Sequence, residues 1–178
     1  MFDTKTWMNK GWAFVKANQP EEACDLFAQA VAEARFLHNP CVLLEALMAL
    51  GATESGLRHP ATALDCYREA VDVAAHHRMP REQAEAMAAV AELLVEQKRT
   101  EEAATVCDQL LSIVQKNEFD AATARAGALR MLARLNEAVA PIDELALLWQ
   151  AAATLYEYAG ELDLAAECKS QLAFLRGQ

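Results

Sequence analysis

Prolines set at a forty-residue step constrain this chain more than any other feature. Pro20 and Pro60 lie forty positions apart, and Thr100 falls in the next slot of the same series. Pro40 and Pro80 repeat the step in a second, interleaved series whose next slot is 120. Proline is tolerated at the first position of a helix, because that amide has no intrahelical acceptor and the fixed φ suits the helix. Both series therefore read as helix starts. The intervening residues keep the same step. Ala23, Ala63 and Ala103 align; so do Phe27, Tyr67 and Cys107, and then Ala30, Ala70 and Leu110. In the helices that precede these, Gly11, Gly51 and Ala91 align, as do Trp7, Leu47 and Met87. A fixed period of this kind is the mark of stacked repeats, none of which can bury its apolar face alone.

The units are helical. Apolar residues recur at three and four positions, Ala, Leu, Glu and Gln dominate, and period-two alternation is almost absent. The pattern predicts helices near 4–17, 20–36, 41–56, 60–76, 81–97, 100–116, 119–138, 142–158 and 161–175. The short loops between them imply antiparallel neighbours. A small residue midway along the first helix of each pair (Gly11, Gly51, Ala91) lets the partner helix come close. Ala23, Ala63 and Ala103 do the same near the start of the second helix, while Trp7, Phe27, Leu47 and Tyr67 fill the space between pairs. The expected fold is all-α: an antiparallel helix-hairpin solenoid of about nine helices in a single domain over 1–178. Its units are 4–36, 41–76 and 81–116, followed by an irregular helix at 119–138 and terminal helices over 142–175.

This arrangement resembles the tetratricopeptide repeat (TPR) family, in a variant with longer helices. The first unit matches its signature with Trp7, Gly11, Phe14, Ala23, Phe27 and Ala30, with Lys10 at a slot where leucine is usual. The second supplies Leu47, Leu50, Gly51, Ala63, Tyr67 and Ala70, with Glu54 in place of an aromatic. The third is degenerate: Met87, Val90, Ala91, Leu94, Ala103, Cys107 and Leu110. Trp149, Ala152, Ala153, Tyr156, Gly160 and Ala165 resemble a fourth start, but Lys169 and Leu172 depart from the pattern, as a polar cap would. Ala103 and Ala165 are sixty-two positions apart, so 119–138 adds one helix out of phase. A generic helical-hairpin array is the alternative fold.

Composition removes several function classes. Sixteen Lys and Arg against twenty-six Asp and Glu give a net charge of −10, which opposes nucleic-acid binding. No apolar stretch is long enough to span a membrane, and the N-terminus carries no signal-peptide core. From Met1 and the tail LRGQ, a domain cut from a longer protein is not the expectation. Five widely spaced cysteines, with no CxxC, fit buried thiols in a reducing cytoplasm better than a disulfide framework or a zinc site. The chain carries no phosphate loop, dinucleotide fingerprint, HExxH, nucleophile elbow or EF-hand loop. His76 and His77 are adjacent on a helix, point about 100° apart, and are expected to sit at a solvated helix end. Glu21/Glu22 and Glu101/Glu102 open helices and oppose the dipole there. The chain is therefore expected not to be an enzyme and to need no cofactor or metal.

What the resemblance implies is a binding surface. In the family the first helices of each pair line the concave side, where peptides bind. The matching positions are Met8, Trp12, Val15 and Lys16, then Glu45, Met48, Ala52 and Ser55, then Glu85, Ala88, Glu92 and Glu96, with Leu147, Gln150, Thr154 and Glu157 from the last unit. Such a groove runs from aromatic and methionine-rich to acidic, so its ligand should carry an apolar anchor flanked by basic residues. The lysine and asparagine clamp by which some relatives hold a chaperone's C-terminal carboxylate is absent: Met8, Trp12, Met48 and Ala52 stand in its slots. The expected function is a cytoplasmic adaptor or chaperone that binds a peptide or helical segment of another protein. Self-association as a homodimer, through a helix such as 142–158 with its Leu145, Leu147, Leu148, Trp149 and Tyr156, is the alternative. A regulatory sensor domain is another.

Overall fold

A computed structural model describes residues 4–116, 122–137 and 140–177. Among these residues it contains nine helices and no strand: α1 (Thr4–Lys16), α2 (Pro20–Phe36), α3 (Pro40–Gly56), α4 (Pro60–His76), α5 (Pro80–Glu96), α6 (Thr100–Lys116), α7 (Ala122–Asn136), α8 (Ile142–Ala159) and α9 (Leu162–Arg176). The predicted helix 119–138 extends at both ends onto positions outside the described residues, as does slot 120 of the proline series.

The turns explain the step. From α2 to α6 every helix has 17 residues and begins at Pro20, Pro40, Pro60, Pro80 or Thr100. Each connection is the same three-residue turn, whose middle residue has a positive φ: Asn18, His38, Arg58, Arg78 and Lys98, all between 50° and 63°. After α2, the His38 N–H donates to Arg35 O at 3.2 Å and the Asn39 N–H to Ala34 O at 3.1 Å. These are the paired bonds of a Schellman stop, and they satisfy carbonyls that the helix end leaves open. The same two bonds recur at 18/19, 58/59, 78/79 and 98/99. The forty-residue period is therefore two twenty-residue steps, each one helix and one turn. Proline starts the next helix where no amide is needed, and Asn39 adds a side-chain cap to the Val42 N–H at 3.3 Å.

The described chain forms two compact units, Met1–Ala86 and Met87–Gln178, with α5 running from one into the other. In the first unit α1 packs on α2, α2 on α3 and α3 on α4, and α1 also touches α3. Its core contains Met8, Phe27, Val31, Leu44, Leu47 and a set of alanines from α2, α3, α4 and the start of α5. Two glycines set the closest approaches. A Cβ built on Gly11 would lie 2.5 Å from the Phe27 ring, and one on Gly51 would lie 2.6 Å from the Tyr67 ring. Each aromatic of the second helix thus rests on bare backbone of the first. Ala91 and Cys107 take these slots in the third pair, and both are fully buried.

In the second unit α6 packs on α7, α7 on α8 and α8 on α9. Trp149, Tyr156, Leu145, Ala152, Ala153, Ala165, Cys168 and Leu172 are buried together. Lys169, at the slot held by Phe27 and Tyr67 in the first two pairs, is exposed and pairs with Glu157. α9 is not a uniformly polar cap, since Leu162 and Phe174 stand in solvent.

The glycine contacts make a signed prediction. Gly11→Ala gains the roughly 1 kcal/mol of helix propensity but forces a methyl into the immobile Phe27 ring, for a net loss of about 1–2 kcal/mol. Gly56→Ala meets nothing within 4 Å and should gain about 0.5–1 kcal/mol. Urea midpoints followed by circular dichroism should move in opposite directions for the same chemical change.

Candidate functional site

The odd-numbered helices of the first unit share one side. There, Trp12 of α1, Cys41, Leu44, Glu45, Met48 and Ala49 of α3, and Glu82 and Glu85 of α5 line an open cleft of about 380 Å³. The second helices occupy the other side, where Arg35 of α2 and Glu69 of α4 form a two-pronged ion pair at 2.6–3.0 Å. The cleft follows from helix geometry. Cys41, Leu44, Glu45, Met48 and Ala49 fall at the i, i+3, i+4, i+7, i+8 spacing of a single helical stripe.

Trp12 is 41% exposed and is held in place from behind. Its ring meets Phe27 edge-on at 5.2 Å between centroids, and Phe27 in turn rests on Gly11. An aromatic propped in this way offers contact area at little entropic cost. The floor of the cleft is apolar (Leu44, Met48, Ala49) and its rim carries three carboxylates. Glu85 is paired with Arg81 at 3.2 Å, a surface pair of small worth. Glu45 and Glu82 have no ion-pair partner among the described residues.

Of the positions anticipated from sequence, the structure brings Trp12, Glu45, Met48 and Glu85 together. Met8 needs correction, being 4% exposed and part of the core. Because α1 packs on α2 and α3, its buried stripe is Thr4, Met8 and Gly11, which turns Met8 inward and Trp12 outward. Val15, Lys16, Ala52 and Ser55 lie on α1 and α3 but do not line the cleft. Ala88, Glu92 and Glu96 belong to the second unit. Glu82, Cys41, Leu44 and Ala49 were missed, although the spacing from Glu45, Met48 and Glu85 contains them.

The second unit has a polar cluster that the sequence did not announce. Arg130 of α7, mostly buried, reaches Glu92 of α5 and Glu167 of α9, each at 3.4 Å. Burial opposes the charge on Arg130, but Tyr156, Glu167 and Glu92 hold its pKa above the ordinary value. The side shared with Glu92 thus goes to α7 and α9, not to α8, which was expected to supply Leu147, Gln150, Thr154 and Glu157. Helix α8 spends Leu145, Trp149 and Tyr156 on its own core and leaves Leu147 exposed.

All five cysteines are unpaired, and only Cys41 is exposed. Burial, reinforced by Glu54 at both positions, pushes the Cys24 thiol up to about 12 and Cys66 up to about 11. Burial lifts Cys107 to about 12 and raises Cys168. No group of three or more His, Cys, Asp or Glu among the described residues is placed to hold a metal ion. No helix of the described residues is long and apolar enough to cross a membrane.

No protein-family model matches the chain, and no curated protein matches it. Solved structures do. The apo form of RapI superposes with a TM-score of 0.80 at 10% identity, over 93% of this chain and 60% of that one. BtubC from P. vanneervenii gives 0.70 at 15% identity, over 97% and 79%. A putative kinesin light chain of Podosopora anserina with nearly identical TPR-like repeats gives 0.67 at 17% identity, over 97% and 93%. The chain thus spans less than two thirds of RapI. These likenesses establish the fold: an all-α, TPR-like helical repeat.

The thiols give the test here. Reaction with an aromatic disulfide reagent at pH 8 should release one equivalent quickly, from Cys41. Cys24 and Cys107 should react about a thousandfold more slowly, since a pKa near 12 leaves so little thiolate. A Cys41→Ser variant should lose the fast phase, and denaturant should expose the remaining four cysteines.

Proposed function

We propose that this chain is a protein-interaction module, an adaptor or chaperone that holds a peptide or helical segment of a partner protein in the cleft of the first unit. The observation that carries the reading is the juxtaposition of an apolar floor, a propped and half-exposed Trp12, and the carboxylates of Glu45, Glu82 and Glu85. A segment with one large apolar side chain between Lys or Arg residues complements it: the anchor desolvates against Trp12 and Met48 while its cations meet the rim. Charges at the rim contribute selectivity and on-rate more than affinity, so the anchor must supply most of the binding. No bond is made or broken, and the reading involves no cofactor. Five unpaired cysteines accord with a reducing cytoplasm as its place of work.

Calorimetric titration tests this with short peptides carrying Phe or Leu between lysines. Trp12→Ala combined with Met48→Ala should weaken binding at least tenfold, about 1.4 kcal/mol, with the helical circular dichroism unchanged. The same peptides with glutamates in place of lysines should not bind, and added salt should weaken the lysine series. Equal binding by the double variant and the unaltered chain would remove the cleft as the seat of recognition.

A further inference from the structure

The chain displays on its own surface the ligand chemistry that its cleft accepts. Phe36 ends α2 and is 77% exposed; Leu37, its cap, is 56% exposed. Nothing in the repeat calls for Phe36, although leucine recurs at the slot of Leu37 as Leu57. The corresponding pairs at the other Schellman turns are Lys16-Ala17, Gly56-Leu57, His76-His77 and Glu96-Gln97. The hydrophobic contact that often closes such a stop is made by the residue after the left-handed one, and here that residue is polar Asn39. Phe36 and Leu37 take no part in such a contact; both stand outward and together form an apolar knob. Arg35 and His38 flank it in sequence. Arg35 spends Nε and Nη2 on Glu69, which leaves its Nη1 donors for a second carboxylate.

We propose that the Phe36–Leu37 turn of one copy docks in the Trp12–Met48 cleft of a second copy. Phe36 would cover the apolar floor, with Arg35 and His38 against the Glu45 and Glu82 rim. The proposal rests on the reading of the cleft given above and names one occupant for it. Knob and cleft are different patches of one surface, so a single docking uses one knob and one cleft and leaves the pair a second cleft and a second knob. The contact is small, and two chains of net charge −10 repel one another, so it forms only at raised concentration. Each docked knob covers one cleft, and an outside partner must compete with the knob there.

Sedimentation equilibrium of the full chain tests it over about 10–500 µM, the range of weak contacts. The weight-average mass should rise above the 19.5 kDa of one chain as concentration increases. Phe36→Asp should stay monomeric, and so should Phe36→Ser, which removes the knob without adding a charge at the helix end. Glu45→Lys should associate at least tenfold more weakly. A mixture of Phe36→Asp with Glu45→Lys should form one-to-one pairs that grow no further, because one variant keeps the cleft and the other keeps the knob. A monomer at every concentration, association of Phe36→Asp or Glu45→Lys like that of the unaltered chain, or no pairing in the mixture would each overturn the proposal. Titrating Phe36→Asp with the lysine-flanked peptide separates the two readings. Peptide binding by Phe36→Asp, with the unaltered chain monomeric at every concentration, sinks the self-docking alone, whereas absence of peptide binding sinks the cleft reading itself.

Discussion

An aromatic ring lying on a glycine backbone is the contact from which the first unit is built. Gly11 beneath Phe27 and Gly51 beneath Tyr67 bring the two helices of a hairpin closer than any side chain at those positions would permit. That approach lets alanines at 23, 30, 63 and 70 be fully buried between helices instead of leaving gaps. It also decides the site. Phe27 is immobilised against Gly11, and Trp12 leans on Phe27. The exposed indole is therefore as rigid as the core behind it, which is the condition for a surface aromatic to act as an anchor.

Register is kept by the turns. Five non-glycine residues hold a left-handed conformation that costs most side chains about 1–2 kcal/mol. They do so because the two Schellman bonds, with a proline following at four of the five turns and Thr100 at the last, leave the chain no cheaper way to reverse within three residues. A rigid turn of constant length, joined to helices of constant length, returns equivalent residues to the same side every second helix. Trp12 and Ala52 occupy one such slot in the first unit, and the forty-residue step in sequence leads on to Glu92. Their divergence in chemistry shows that the repeat preserves geometry while the surface residues are free to differ.

Much of this is legible in the sequence alone, for a physical reason. Proline and glycine act through the backbone, so their effects survive translation from sequence to structure. The starts at 20, 60 and 100 and the glycine slots at 11 and 51 lie where the step placed them. Side-chain direction was less legible. Met8 and Trp12 are four apart and were both assigned to the groove, but α1 packs on α2 and α3, and that choice of neighbours turns Met8 into the core. The parity of the last helices was hidden as well. Ala103 and Ala165 are sixty-two residues apart, three twenty-residue steps and two residues more. The fourth signature therefore falls on even-numbered α8, and Arg130 of α7 bridges to Glu92 and Glu167 on the odd-numbered side. Periodicity reveals that a helix has been added; only the contacts reveal which side it takes.

The same division bears on function. Repeat positions that hold the fold together cannot distinguish partners, because every unit has them. Specificity must reside where this chain breaks its own pattern. Such breaks are few in the first unit, and they are of two complementary kinds. Trp12 and the carboxylates of Glu45, Glu82 and Glu85 make an acidic, apolar recess. Phe36 and Leu37, where the other turns carry mostly polar or small residues, make an apolar projection beside Arg35 and His38. Exposing a phenylalanine costs a folded chain solubility and gives its core nothing. Under the self-docking proposed above, contact outside the chain, not stability within it, accounts for Phe36 at a turn that would fold as well with Lys16-Ala17 or Glu96-Gln97 in its place.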